Sequence, residues 1–156
     1  MRVLFVCDGN ICRSPLAAEY LRQRTVRSGL SHVVVDSAGI LGIEGGKAAA
    51  HSIAVAREAG LDLTHHRSRG VTVADLRTSD IVIAMTLTQL ETLGRRFGPG
   101  RGERLLLRAF EDGPTPRGGA PELDDPVTGP IEGFREAFAI IRTCVDHLVL
   151  YLRHAA

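Results

Sequence analysis

At 156 residues, with 19 Lys and Arg against 18 Asp and Glu, the chain carries a formal charge of +1 and fits one folded domain over residues 1–156. That balance gives no electrostatic footprint for nucleic acid or a membrane surface, and 44% hydrophobic with 24% charged residues excludes bulk disorder. No run reaches the roughly 18 apolar residues of a membrane helix, and three cysteines do not make a secreted disulfide framework, so a reducing cytoplasm is the expected compartment.

Val3–Cys7 is a continuous apolar run, as in a strand covered on both faces. The loop Asp8–Ser14 follows, and Pro15 falls at the N1 position of a helix, which proline favours. Leu16, Ala17, Tyr20 and Leu21 recur at helical spacing, with Gly29 as the stop. Val33–Val35 reads as a second strand, ended by Asp36-Ser37-Ala38-Gly39, and the glycine-rich segment to Gly46 reads as a loop. An alanine-rich helix is expected over 48–59, capped by Gly60. Asp80–Met85 is a third strand, and Thr86 caps a helix running towards Phe97. Arg104–Leu107 is a fourth strand, and Glu111–Pro130, rich in Gly and Pro, is a long loop. A last helix over 131–152 places Phe134, Phe138, Ile141, Val145 and Leu148 on one face.

Strands alternating with helices predict an α/β three-layer sandwich around a four-stranded parallel sheet. Ligands of such sheets sit beyond the carboxyl ends of the strands, which here means just after Cys7. The segment there is Cys7-Asp8-Gly9-Asn10-Ile11-Cys12-Arg13-Ser14-Pro15. Its backbone N–H groups and the following helix N-terminus can cradle an anion. Gly9 and Asn10 tolerate the left-handed backbone that a tight concave loop needs. Arg13 offers a planar fork for two oxygens of a phosphate-like dianion. Cys7 at the floor of that cradle is favoured as the thiolate, a nucleophile aimed at phosphorus, with the Ser14 hydroxyl in reach of the sulfur. Cys7 and Cys12 have no second ligand pair at zinc spacing, so neither a metal nor a cofactor is expected.

These residues resemble the signature C-x-G-N-[IT]-C-R-S-P of the low-molecular-weight protein tyrosine phosphatases. The resemblance continues through Asp36–Gly39, Gly60-Leu61-Asp62, His66-Arg67-Ser68-Arg69, the Asp80–Thr86 strand and Asp125-Pro126. It implies that Cys7 is the nucleophile, that Arg13 binds phosphate and that Asp125 is the general acid. It further implies that Asp8, Gly9, Asn10, Ile11, Cys12 and Ser14 form the substrate loop, braced by Ser37 and His66. Cys12 matches the second cysteine able to trap oxidised Cys7 as a disulfide. A phosphorylated protein or peptide is the implied partner, phosphotyrosine the implied substrate.

Where the family's acid loop continues D-P-Y-Y-G, this chain has Asp125-Pro126-Val127-Thr128-Gly129, and Ile40, Leu41 and Ile43 stand where the opposite wall is often aromatic. Both walls of the crevice therefore read as aliphatic. The alternatives are a phosphatase of the same fold for phosphoarginine or a small molecule, and a thiol-linked arsenate reductase. Ile11, where arginine phosphatases tend to carry Thr, speaks for an aryl phosphate. Cys144, the one remaining cysteine, falls on the apolar side of the last helix and reads as structural.

Overall fold

A computed structural model describes residues 1–155. In chain order the elements are β1 (Arg2–Cys7), α1 (Arg13–Arg27), β2 (Val34–Gly39), α2 (Ala50–Glu58), α3 (Val73–Thr78), β3 (Ile81–Ala84), α4 (Leu87–Phe97), β4 (Glu103–Leu106), a 3-10 turn (Leu107–Phe110) and α5 (Ile131–Ala155). The strands form one parallel sheet in the order β2-β1-β3-β4. The chain therefore leaves β1 on one side to make β2 and returns on the other to make β3. The end of β1 is the switch point, where a crevice opens.

The apolar run of β1 explains its central place, because both of its faces are covered. Val3, Phe5 and Cys7 point into one core with residues of α1, α2 and α5, including Leu16, Leu21, Val55, Phe138 and Ile141. Leu4 and Val6 point into the other, with Leu76 of α3 and Leu93 of α4. Alternate side chains of one strand thus serve two helical layers, which is the sandwich expected. The apolar stripe of α5 is wholly buried at Phe134, Phe138, Ile141, Val145 and Leu148. No helix among the described residues is long and apolar enough to cross a membrane.

Some local expectations need correction. Helix α1 starts at Arg13, so Pro15 is its third residue and not its first. The opening N–H groups of a helix have no intrahelical partner, so proline loses nothing there. Strand β2 does not end at Val35; Asp36–Gly39 continues the ladder against Leu4–Cys7. Strand β4 stops at Leu106, and Leu107 enters the 3-10 turn with its side chain buried. Helix α3 lies in a stretch for which the sequence reading proposed no element; it opens on a capping box in which Thr72 and Asp75 each satisfy the other's backbone N–H.

Candidate active site

The loop between β1 and α1 turns back on itself through Asn10, whose φ of 56° makes it the one non-glycine residue with positive φ among those described. Its carbonyls are engaged outside the loop. Cys7 O accepts from Ile40 N, Asp8 O from Leu41 N and Ile11 O from Ala49 N. Asn10 O accepts the ring Nε2–H of His66 at 2.6 Å. Because C=O and N–H of a peptide point oppositely, the N–H groups of Asp8, Gly9, Ile11 and Cys12 face the concave side. The N-terminus of α1 adds its partial positive charge.

The Asn10 side chain locks this shape. Its amide donates to Ser14 Oγ and Ser37 Oγ, both at 2.9 Å, and its Oδ1 accepts from Arg69 N at 3.1 Å. Ser14 Oγ lies 3.0 Å from Cys7 Sγ. Since Ser14 Oγ already accepts from Asn10, its own hydrogen is available to the sulfur. Gly39 closes the back of the loop, where a Cβ would meet Asp8 O at 2.8 Å and Asn10 N at 3.0 Å. That approach is why the second strand ends on glycine. Burial lowers the His66 pKa, which favours the neutral ring, and a carbonyl acceptor requires the proton on Nε2.

Arg13 is 1% exposed, so its charge requires partners. It donates to Leu123 O at 2.7 Å and lies 3.5 Å from Asp8 and 3.4 Å from Asp125. Its Nε, also buried, has no protein partner, leaving a donor suited to an oxyanion. These groups border a cavity of about 200 Å³ lined by Cys7, Asp8, Gly9, Ile11, Cys12, Arg13, Leu41, Ile43, Asp125 and Val127. Its apolar wall residues beyond the Cys7–Ser14 loop are aliphatic: Leu41 and Ile43 from the loop after β2, and Val127 from the segment before α5. Asp125 also borders a second cavity with Arg108 and Glu136, and its neighbour Asp124 lines only that one. Cys12 is a buried thiol whose pKa is pushed up to about 12 by desolvation, with Asp125 and Cys7 adding to the rise. Cys144, likewise raised to about 12 by burial, lies on the core face of α5. No three His, Cys, Asp or Glu side chains gather to hold a metal among the described residues.

Cys7, Asp8, Gly9, Ile11, Cys12, Arg13 and Asp125 line this cavity, with Asn10, Ser14, Ser37 and His66 bonded behind it, whereas Ile40, expected on the crevice wall, is buried in the second core with Leu4 and Leu76. Three further contributors do not announce themselves in the sequence. Gln89 is fully buried, takes Met85 N and Thr86 N on its Oε1, and donates Nε2–H to Asp8 Oδ1 at 2.9 Å. Its only trace in the sequence is Thr86-x-x-Gln89, a capping box. Leu123, buried and bonded through N–H to Met85 O, anchors the Asp125 segment on Arg13 and has no signal at all. Arg69 acts through its backbone N–H, while its side chain is held by Asp75.

Residues 2–155 match the family described as low molecular weight phosphotyrosine protein phosphatase. A protein-arginine-phosphatase of Geobacillus stearothermophilus is 34% identical over 147 residues, covering 94% of this chain and 93% of its own. A low molecular weight protein-tyrosine-phosphatase of Streptomyces coelicolor is also 34% identical, over 97% of this chain and 93% of that protein. Among solved structures, the YwlE arginine phosphatase of Geobacillus stearothermophilus superimposes with a TM-score of 0.87 at 33% identity, covering 99% of this chain and 94% of that one. A cysteine-to-serine mutant of YwlE arginine phosphatase, carrying a phosphorylated active-site serine, superimposes at 0.89 with 27% identity, covering 98% of this chain and 96% of that one. With its cysteine loop at the switch point and its match running along nearly the whole length, the chain belongs to the low molecular weight phosphotyrosine protein phosphatase family, a family of hydrolases.

Proposed function

We propose that residues 1–156 act as one catalytic unit that hydrolyses phosphorylated protein side chains, phosphotyrosine foremost, through a cysteinyl-phosphate. Cys7 Sγ attacks phosphorus and the bond to the leaving oxygen breaks, while Asp125 gives that oxygen its proton. Arg13 and the inward N–H groups hold the equatorial oxygens, where negative charge is spread in the transition state. In the second step the Asp125 carboxylate takes a proton from water. The water oxygen bonds to phosphorus, and the sulfur leaves with its electron pair, stabilised by the Ser14 hydroxyl. Ser37 and His66 act through Asn10 to keep the loop concave.

The observation that carries this reading is the Cys7 Sγ to Ser14 Oγ contact of 3.0 Å at a cavity that Arg13 and Asp125 also line. Cys7→Ser should abolish turnover of a phosphotyrosine peptide yet still bind inorganic phosphate by calorimetry, while Arg13→Ala should lose both. A Cys7→Ser protein that retained a substantial share of turnover would refute covalent catalysis through this thiol. Phosphoarginine is the second reading, favoured by walls without an aromatic ring. Cys12, a neutral thiol bordering the same cavity, supports a redox role. Peroxide converts Cys7 to a sulfenic acid, and Cys12 displaces water from it to form a disulfide. The three free cysteines fit a reducing compartment such as the cytoplasm.

A further inference from the structure

The charged residues lining the cavity are Arg13 and two acids, Asp125 and Asp8. Asp125 is accounted for by proton transfer in the proposed reaction. Asp8 has no part in the displacement. Its carboxylate is nevertheless held in place: Oδ1 accepts from Gln89 at 2.9 Å and Oδ2 lies 3.5 Å from Arg13. Gln89 is 1% exposed, and its amide is fixed end to end, because Oε1 is occupied by two backbone N–H groups at 2.8 and 3.1 Å. Nε2 can therefore only aim at Asp8. Packing alone does not call for this arrangement, since the Asp8 side chain stays 49% exposed at the cavity.

A fixed carboxylate beside an oxyanion cradle opposes a bare phosphate dianion. It favours a substrate that brings positive charge to the same place. We propose that Asp8, oriented by Gln89, determines specificity, selecting phosphorylated substrates with a cationic group next to the phosphate. The proposal rests on the phosphatase reading of this site. The cation has two possible sources with one chemistry: an Arg or Lys flanking a phosphotyrosine, or the phosphorylated guanidinium of arginine itself. Gln89 is a positioning residue, acting only through Asp8.

The test compares kcat/KM for p-nitrophenyl phosphate, for two phosphotyrosine peptides differing only in Arg or Ala beside the phosphotyrosine, and for free phosphoarginine. An exposed charge pair is worth about two- to fivefold in binding. The wild type should prefer the Arg-flanked peptide by that factor, and about 0.5 M KCl should erase the preference. Asp8→Asn should remove it and at the same time lower KM for p-nitrophenyl phosphate. Opposite shifts on two substrates are not produced by a merely damaged loop. Gln89→Met should move KM values in the same sense with kcat little changed; if that variant does not fold, Asp8→Asn decides alone. Loss confined to the peptide pair assigns the cation to the flanking residue, and loss confined to phosphoarginine assigns it to the substrate side chain. If Asp8→Asn changes none of these ratios, the selective role is wrong. If the wild type fails to hydrolyse p-nitrophenyl phosphate, the phosphatase reading itself falls instead.

Discussion

Asn10 joins the loop to three other segments, and replacing it with alanine removes all three side-chain bonds together. The lost partners are Ser14 Oγ, Ser37 Oγ and Arg69 N. Asn10 is fully buried, so no water takes their place. Three such bonds at about 0.5–1.5 kcal/mol each, with about 1 kcal/mol for an alanine held at positive φ, make Asn10→Ala destabilising by about 2.5–5.5 kcal/mol. That is a large share of the about 5–15 kcal/mol that holds a typical domain together. Asn10→Gly loses the same bonds but adopts φ of 56° freely, so it should be milder by about 1 kcal/mol. Urea unfolding of the three proteins, with unchanged slopes, measures both differences. Turnover of p-nitrophenyl phosphate should fall in both variants, since Ser14 is no longer braced against Cys7. An Asn10→Ala loss below about 1 kcal/mol, or an alanine variant as stable as the glycine one, would show that the loop is held by something else.

Asp125→Ala should lower kcat/KM, which reports the first step, for a phosphotyrosine peptide by about 10²–10⁴-fold and for p-nitrophenyl phosphate far less, because nitrophenolate leaves without a proton. Asp124→Ala, altering a side chain in the other cavity, should cost little with either; steady-state kinetics on both substrates decides between the two carboxyls. Burial lowers the His66 pKa below its ordinary 6.5, so the unfolded chain takes up that proton first. Its contribution to stability is therefore complete above about pH 6.5 and is lost as pH falls from there towards the lower folded value. The thermal midpoint should drop between pH 7.5 and 5.5, and less steeply in His66→Gln. Mild peroxide should give a dithiothreitol-reversible Cys7–Cys12 disulfide by mass mapping, and Cys12→Ser should convert that protection into irreversible loss of activity.

The fold was legible where one residue type answers to one force. The run Val3–Cys7 has no polar position, so it had to be covered on both sides, and the stripe of α5 from Phe134 to Leu148 allowed one buried face. The Cys7–Pro15 loop could be read because glycine, asparagine, arginine and proline each restrict backbone or charge in a distinct way. Contacts of the backbone were not legible. Leu123 O takes the Arg13 guanidinium and Arg69 N reaches Asn10 Oδ1, but a carbonyl or an N–H is carried by nearly every residue. Asp36–Gly39 reads as a turn because polar residues and glycine favour one, whereas its pairing with Leu4–Cys7 overrides that preference. The pairing of Gln89 with Asp8 spans 81 residues of chain, and neither side chain points to the other without the sheet between them.

The two halves of the proposed catalytic apparatus are moored to unequal parts of the molecule. Cys7 ends the central strand, whose Val3–Val6 are at most 1% exposed, so its loop melts only when the whole sheet does. Asp125 rides on a segment without helix or strand, tethered through Leu123 to Arg13 and Met85 and through Glu122 to Leu87 and Arg108. A segment held by so few bonds can detach well below the global transition. As urea rises, kcat/KM for poor leaving groups should therefore fall first, ahead of that for good ones, and both should vanish later. Two activity curves, one for a tyrosyl and one for a nitrophenyl ester, would then separate local from global unfolding within a single chain.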